Sequence, residues 1–223
     1  MNDSNIRQRR QKKSPYKGSD GDIRKYAVAY LEERLRGFDK DVKICLTGKP
    51  SDNGFGLTYA YFPALLTCCA MLELLGNLYV GETRGAGWRR AIKYSDRFLD
   101  NRIYSKDNII LLFQVLRHPA AHMNTLSGVR KPGEGHYQDQ RITWKIYADA
   151  RYPAIKIERE AGVLKEQPPW DCPHDYRLYV RLDRLRYDIR DSVLEPGGYL
   201  TELLSRKDLL RKFEKCMKQI YPP

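Results

Sequence analysis

Apolar residues recur along this chain with two different periods, and the change of period divides it. Up to about residue 127 the spacing is three and four, the mark of helices with one buried face. Asp22 opens the first predicted helix, whose face is Ile23, Tyr26, Ala27, Tyr30, Leu31 and Leu35, with Gly37 as its stop. Residues Phe38 to Gly56 read as a loop, rich in glycine and proline, with a short extended piece at Val42 to Leu46. Leu57 to Val80 is the most apolar helix and closes at Gly81. Thr83 to Gly87 is a connector, and Trp88 to Leu99 a shorter helix. Asp107 to Leu116 is a buried helix carrying Ile109, Ile110, Leu112, Phe113 and Leu116.

Beyond Gly128, Pro132, Gly133 and Gly135 the period falls to two. Arg141 to Tyr147 and Ala154 to Glu158 alternate apolar and polar residues on either side of Tyr152-Pro153, which predicts a hairpin. Pro168, Pro169 and Pro173 mark an irregular segment. Two helices are predicted to close the chain, Asp175 to Leu194 and Tyr199 to Ile220, parted by Glu195-Pro196-Gly197-Gly198. The expected fold is mainly α: a helical bundle over residues 22–127, elaborated at 128–223 by a small β-hairpin and C-terminal helices packed on it. Residues 1–21, polar and basic with almost no apolar side chain, are expected to be a flexible arm.

Charge narrows the partners. The net charge of +12 favours a polyanion, nucleic acid before an anionic membrane surface. Cys45, Cys68, Cys69, Cys172 and Cys216 are an odd set without a CxxC pair, which points to reduced thiols and a cytoplasmic setting. The basic N-terminus lacks the apolar stretch of a secretory signal. The segment Tyr59 to Val80 is long enough to span a membrane, but Pro63, Glu73, Gly76 and Asn77 within it point to a core helix. No membrane partner and no cofactor are expected. Gly54-Phe55-Gly56 is not followed by the Lys-Ser/Thr of a phosphate loop.

The concentrated chemistry follows the buried helix, in Arg117-His118-Pro119-Ala120-Ala121-His122. On an unbroken helix, residues five apart point roughly 140° away from each other. Pro119 disfavours helical geometry at His118 and removes a backbone donor, so a break there is expected to let Arg117 and His122 converge on one ligand. An Arg and a His also stand at Arg130 and His136, but in a Gly/Pro loop without a helix before them. Glu73 has two readings, pairing with a basic residue of this cluster or facing solvent.

An Arg, a polar residue, three more residues and a His at the end of a helix in a helical bundle resemble the motif of the HEPN superfamily. Tyr61-Phe62-Pro63-Ala64-Leu65-Leu66 and Glu73-Leu74-Leu75-Gly76 are similar to that family's second helix. The resemblance covers roughly Asp22 to Thr125. It implies a metal-independent endoribonuclease, commonly a homodimer with two motifs over a shared cleft, in a defence or toxin role with an inhibitory antitoxin protein as partner. Its catalytic residues would be Arg117, His118 and His122. RNA brings its own nucleophile, the 2′-hydroxyl, so protein groups need only move protons and stabilise charge at phosphorus. His122 exchanges a proton near neutral pH, Arg117 offers a planar fork to phosphate oxygens, and His118 orients the substrate, bonds His122 or donates to the leaving group. The expected products are a 2′,3′-cyclic phosphate and a 5′-hydroxyl.

Two other readings stay open. His118 and His122 are four apart, a metal-binding spacing, with Glu73, Cys172 or His174 as a third ligand; the internal Glu of zinc proteases is absent. Alternatively the chain is a non-catalytic RNA-, nucleotide- or protein-binding module. In that case Arg177, Arg181 and Arg184, interleaved with Tyr176, Tyr179 and Tyr187 on the expected helix, would hold RNA by phosphate contacts and stacking. His136 and His174 are assigned no role.

Overall fold

In the computed structural model, which describes residues 19–47, 60–118, 128–147, 152–165 and 171–222, the first helix, α1 (Asp20–Thr47), runs through Gly37 instead of stopping there. Of the loop expected over Phe38 to Gly56, residues 48–56 lie outside the described residues; residues 38–47, with the extended piece at Val42 to Leu46, are helical. The reason is tertiary. A helical glycine costs about 1 kcal/mol relative to alanine. Continuing the helix buries Phe38 and Val42, each worth roughly 1.5–3 kcal/mol.

Helix α2 (Tyr61–Val80) is the centre of the molecule. Its buried residues form two stripes, Ala64, Cys68, Met71, Leu75 and Leu78 on one and Leu65, Cys69, Leu72 and Gly76 on the other. A helix apolar on several faces must be covered by several neighbours. Although α2 is long and apolar enough to cross a membrane, it packs here against α1, α3 (Gly87–Phe98) and the C-terminal helices. Pro63 sits in the first turn, where its missing N–H has no helical partner to lose. Gly81 ends the helix in the left-handed conformation, φ 80°, and its N–H returns to the Asn77 carbonyl at 2.8 Å. Helices α2 and α3 cross closely at Gly76. A Cβ there would lie 2.5 Å from the Arg90 carbonyl carbon, so only glycine lets the two backbones approach.

Helix α4 (Lys106–Leu111) leads straight into a π-helical turn, Leu112–Arg117. The β region departs from the expected hairpin. Strands β1 (Ile142–Ile146) and β2 (Ile155–Lys165) do not pair with each other; β3 (Asp171–Val180) lies between them, parallel to β1 and antiparallel to β2. The first part of the helix expected from Asp175 is therefore strand. His174, Leu178 and Val180 are buried at alternate positions along it, which is the period of a strand and not of a helix. The helix proper, α5 (Leu182–Leu194), is followed by α6 (Tyr199–Ser205) and α7 (Lys207–Ile220).

The fold is mainly α with a small three-stranded sheet. One hydrophobic core contains residues from both halves of the chain. Tyr94 of α3 stacks edge-on against Tyr199 of α6, and its hydroxyl meets the Ser192 hydroxyl at 2.9 Å. Tyr104 donates to Asp188 at 2.7 Å. Trp144 of β1 meets Phe62 at the start of α2 edge-on. The residues after 128 thus complete the core that the first helices begin.

Candidate active site

Ser105 starts α4 by accepting the Asn108 N–H at 3.2 Å. From Ile109 to Phe113 five successive side chains are buried, so this stretch is enclosed on every side. The widened turn follows. The His118 N–H bonds to the Phe113 carbonyl, five residues back instead of four. Such turns are rare and recur at functional sites. Here it brings the chain from the core to the surface: Leu116 is buried, Arg117 half-buried and His118 exposed.

Arg117 meets a carboxylate. Its Nη2 lies 3.3 Å from Oε2 of Glu73, on α2. Of the two readings of Glu73, the pairing is the one found. The carboxylate also rests on the first turn of α3. A Cβ on Gly87 would come within 2.5 Å of Glu73 Oε1, so the close approach requires glycine at that position. The positive end of the α3 dipole favours a negative group there. Buried Arg90 holds the preceding loop in shape, donating to Asn77 Oδ1 and to the carbonyls of Thr83, Arg84 and Gly85. That loop shape sets Gly87 against Glu73 and places Trp88 beside it.

A second loop forms the facing wall. Arg130 and Ile142 exchange two backbone hydrogen bonds of 2.9 Å, fastening the loop to the free edge of β1. Gln114 accepts the Gly133 N–H at 2.8 Å, and Asp107 accepts the His136 N–H at 2.9 Å. Asp107 and Gln114 are two helical turns apart, so one face of the helix clamps the loop at two points. Lys131 is thereby held at the mouth of a cleft of about 380 Å³ lined also by Glu73, Trp88, Phe113, Gln114, Arg117 and His118. Arg117 and Lys131 face one carboxylate, Glu73, in it, so the cleft is net positive.

Of the expected catalytic residues, Arg117 and His118 both line this cleft. His122 lies outside the described residues, as does the expected break at Pro119. Arg177, Arg181 and Arg184 do not share a helix. Arg177 is on β3 and pairs with Glu160 at 2.8 Å; Arg181 precedes α5 and binds Asp183 at 3.0 Å; Arg184, on α5, pairs with Asp188 at 2.8 Å. His174 is buried in β3, and His136 is exposed on the Gly/Pro loop. Among the described residues no group of three or more His, Cys, Asp or Glu side chains comes together that could hold a metal ion.

Trp88, Gln114 and Lys131 were not foreseeable as site residues from spacing alone. Gln114 had one faint signal, its place seven residues after Asp107 on the same helix face. Comparison with family models, with curated proteins and with solved structures finds no match for this chain.

Proposed function

We propose that the protein is a metal-independent endoribonuclease whose phosphate-binding group is Arg117 and whose proton-transfer group is His122, with His118 beside them. The observation that carries this reading is the placing of Arg117: a guanidinium brought by a buried helix and a π turn into an open, net-positive cleft, next to an exposed histidine. The resemblance of Arg117-His118-x3-His122 to the HEPN motif supports it. Arg117 would bind the non-bridging oxygens of the scissile phosphate with its planar fork. An imidazole would take the 2′-hydroxyl proton and return one to the 5′-oxygen, leaving a 2′,3′-cyclic phosphate. In a homodimer, two such motifs facing each other would divide the acid and base roles.

One observation favours a second reading, an RNA-holding module that does not cut. Arg117 is already paired with Glu73, so a phosphate must compete with a carboxylate for it.

The deciding experiment is RNA cleavage in EDTA by the purified protein, with products identified by mass. Loss of a general acid–base group lowers rates by about 10²–10⁴, and Arg117→Ala or His122→Ala should each do so while leaving the melting temperature near that of the wild type. Cutting that survives both substitutions removes the site assignment. RNA binding with no cutting under any condition leaves the second reading.

A further inference from the structure

We infer that the cleft beside Arg117 takes one unpaired nucleotide of single-stranded RNA, its base stacked on Trp88 and its phosphates on Arg117 and Lys131. The inference rests on the reading above, that RNA lies at Arg117, and adds which form of RNA and which residue selects it.

A phosphate alone needs only cations. This cleft also has an indole in its lining, and Trp88 is half-buried, packed in part against the core and in part bordering the open space. An aromatic ring a short reach from a guanidinium and an ammonium matches the layout of a nucleotide, flat base at one end and anion at the other. Base–aromatic stacking tolerates any base, because every base has a π-face. A paired base inside a duplex has no free face to offer, and the deep groove of an RNA duplex hides the base edges. The indole thus selects strands whose bases can swing out.

The ring is also well braced. The Arg89 guanidinium lies over one face of the Trp88 ring, its carbon 5.0 Å from the centroid, and reaches towards Glu134, Nη2 to Oε2 3.8 Å, so a base would stack on the opposite face. Arg90, the next residue, is locked into the α2–α3 loop by its four acceptors. A ring packed in part on the core and carried by a backbone held at Arg90 loses less freedom than a fully exposed one when a base settles on it. Lys131, on the other wall, is fixed through the Arg130–Ile142 bridge and the Gly133–Gln114 bond. The cleft volume of about 380 Å³ lies within the span typical of small-ligand sites.

The test uses a 2′-O-methyl RNA 12-mer, single-stranded or annealed to its complement, and a free mononucleotide, each titrated against the full chain in EDTA. The wild type should prefer the single strand. Trp88→Ala should weaken single-strand binding about 5- to 100-fold and leave duplex binding unchanged, and Trp88→Phe should keep most of the affinity. The oligonucleotide should quench tryptophan emission in the wild type and much less in Trp88→Phe. Lys131→Ala, at an exposed position, should weaken both RNA forms and flatten the salt dependence by about 0.7 per decade. A mononucleotide that binds as tightly as the 12-mer would make this a free-nucleotide site and overturn the assignment to RNA. Trp88→Ala binding the single strand like wild type, or losing both RNA forms equally, would also overturn it. Because the 2′-O-methyl strand lacks the nucleophile, binding is read apart from cleavage. A Trp88 effect without any cutting of unmodified RNA defeats the ribonuclease reading alone; cutting with binding indifferent to Trp88 defeats the stacking site alone.

Discussion

The Arg117 guanidinium and the Glu73 carboxylate, on different helices, meet at 3.3 Å across the mouth of the cleft. About a third of one side chain and a quarter of the other is exposed, so the pair contributes little to stability, on the order of 0.2–1 kcal/mol. Its weight is on what Arg117 is free to bind. Glu73→Gln removes the competing anion and keeps the shape. The expected result is a melting temperature within a few degrees of wild type, tighter RNA binding, and a steeper salt dependence by up to about 0.7 per decade of salt. Binding isotherms at several salt concentrations measure this, and an unchanged slope would mean that Arg117 does not reach phosphate.

Gly76 and Gly87 both face obstacles 2.5 Å from a would-be Cβ, but of different kinds. At Gly76 the obstacle is the backbone of Arg90 and Ala91, which can yield only if α2 and α3 separate. At Gly87 it is the end of the Glu73 side chain, which can swing away. Gly76→Ala should therefore destabilise by roughly 1–3 kcal/mol or more, the usual range for overpacking. Gly87→Ala should melt close to wild type and act on RNA binding as Glu73→Gln does. Thermal melts of the two variants side by side decide it, and equal losses would contradict the argument.

Alkaline pH should loosen the fold. Burial raises the Tyr30 hydroxyl from its usual 10.0 to about 12 and the Cys216 thiol from 9.0 to about 11. In both, the folded state holds its proton to a higher pH than the unfolded chain does. Their contribution is intact below about pH 9 and fades as the pH climbs through 11 and 12. Urea midpoints at pH 8 and pH 11 should differ, with the lower midpoint at pH 11. Cys216→Ala should flatten part of the slope.

Thiol chemistry should sort the cysteines by depth. Cys68 and Cys69 are fully buried in α2, and desolvation pushes both thiols up, so neither forms thiolate while the core is closed. Iodoacetamide at pH 8 should label half-buried Cys45 and Cys172 first, and Cys68, Cys69 and Cys216 only after unfolding. Peptide mass spectrometry reads the order; prompt labelling of Cys68 would show that α2 is open on some face.

Much of the helical frame was legible because its signals are local. The apolar run of α2 and the Gly81 that stops it are each written in a few adjacent residues. What misled were places where a distant partner overrides a local sign. Gly37 looks like a stop, yet Phe38 and Val42 find the core beyond it. His174, Tyr176, Leu178 and Val180 do carry a two-residue period, but they run without punctuation into the true helix at Leu182, and the strand was absorbed into it. Arg117 stood out as the end of an apolar helix. Glu73 admitted two readings, and Lys131 carried no sign at all, because both acquire meaning only from which loop is fastened opposite. The π turn is equally silent in the sequence, because its five-residue hydrogen bond leaves no periodic mark on the residues that make it.

The position of β3 between two strands made before it has a consequence for how the molecule is assembled. Neither β1 nor β2 has a sheet neighbour until the chain has been synthesised through Val180, since both ladders run to the same late strand. The wall that carries Lys131 is held on two sides, by the Arg130–Ile142 bridge to the outer edge of β1 and by the Gly133–Gln114 and His136–Asp107 bonds to the helix. On a ribosome, the sheet behind the cleft would therefore form late, after most of the polypeptide has emerged. A nascent fragment stopping short of β3 would have the buried helix of the site and the loop clamped to it, but no sheet behind that loop.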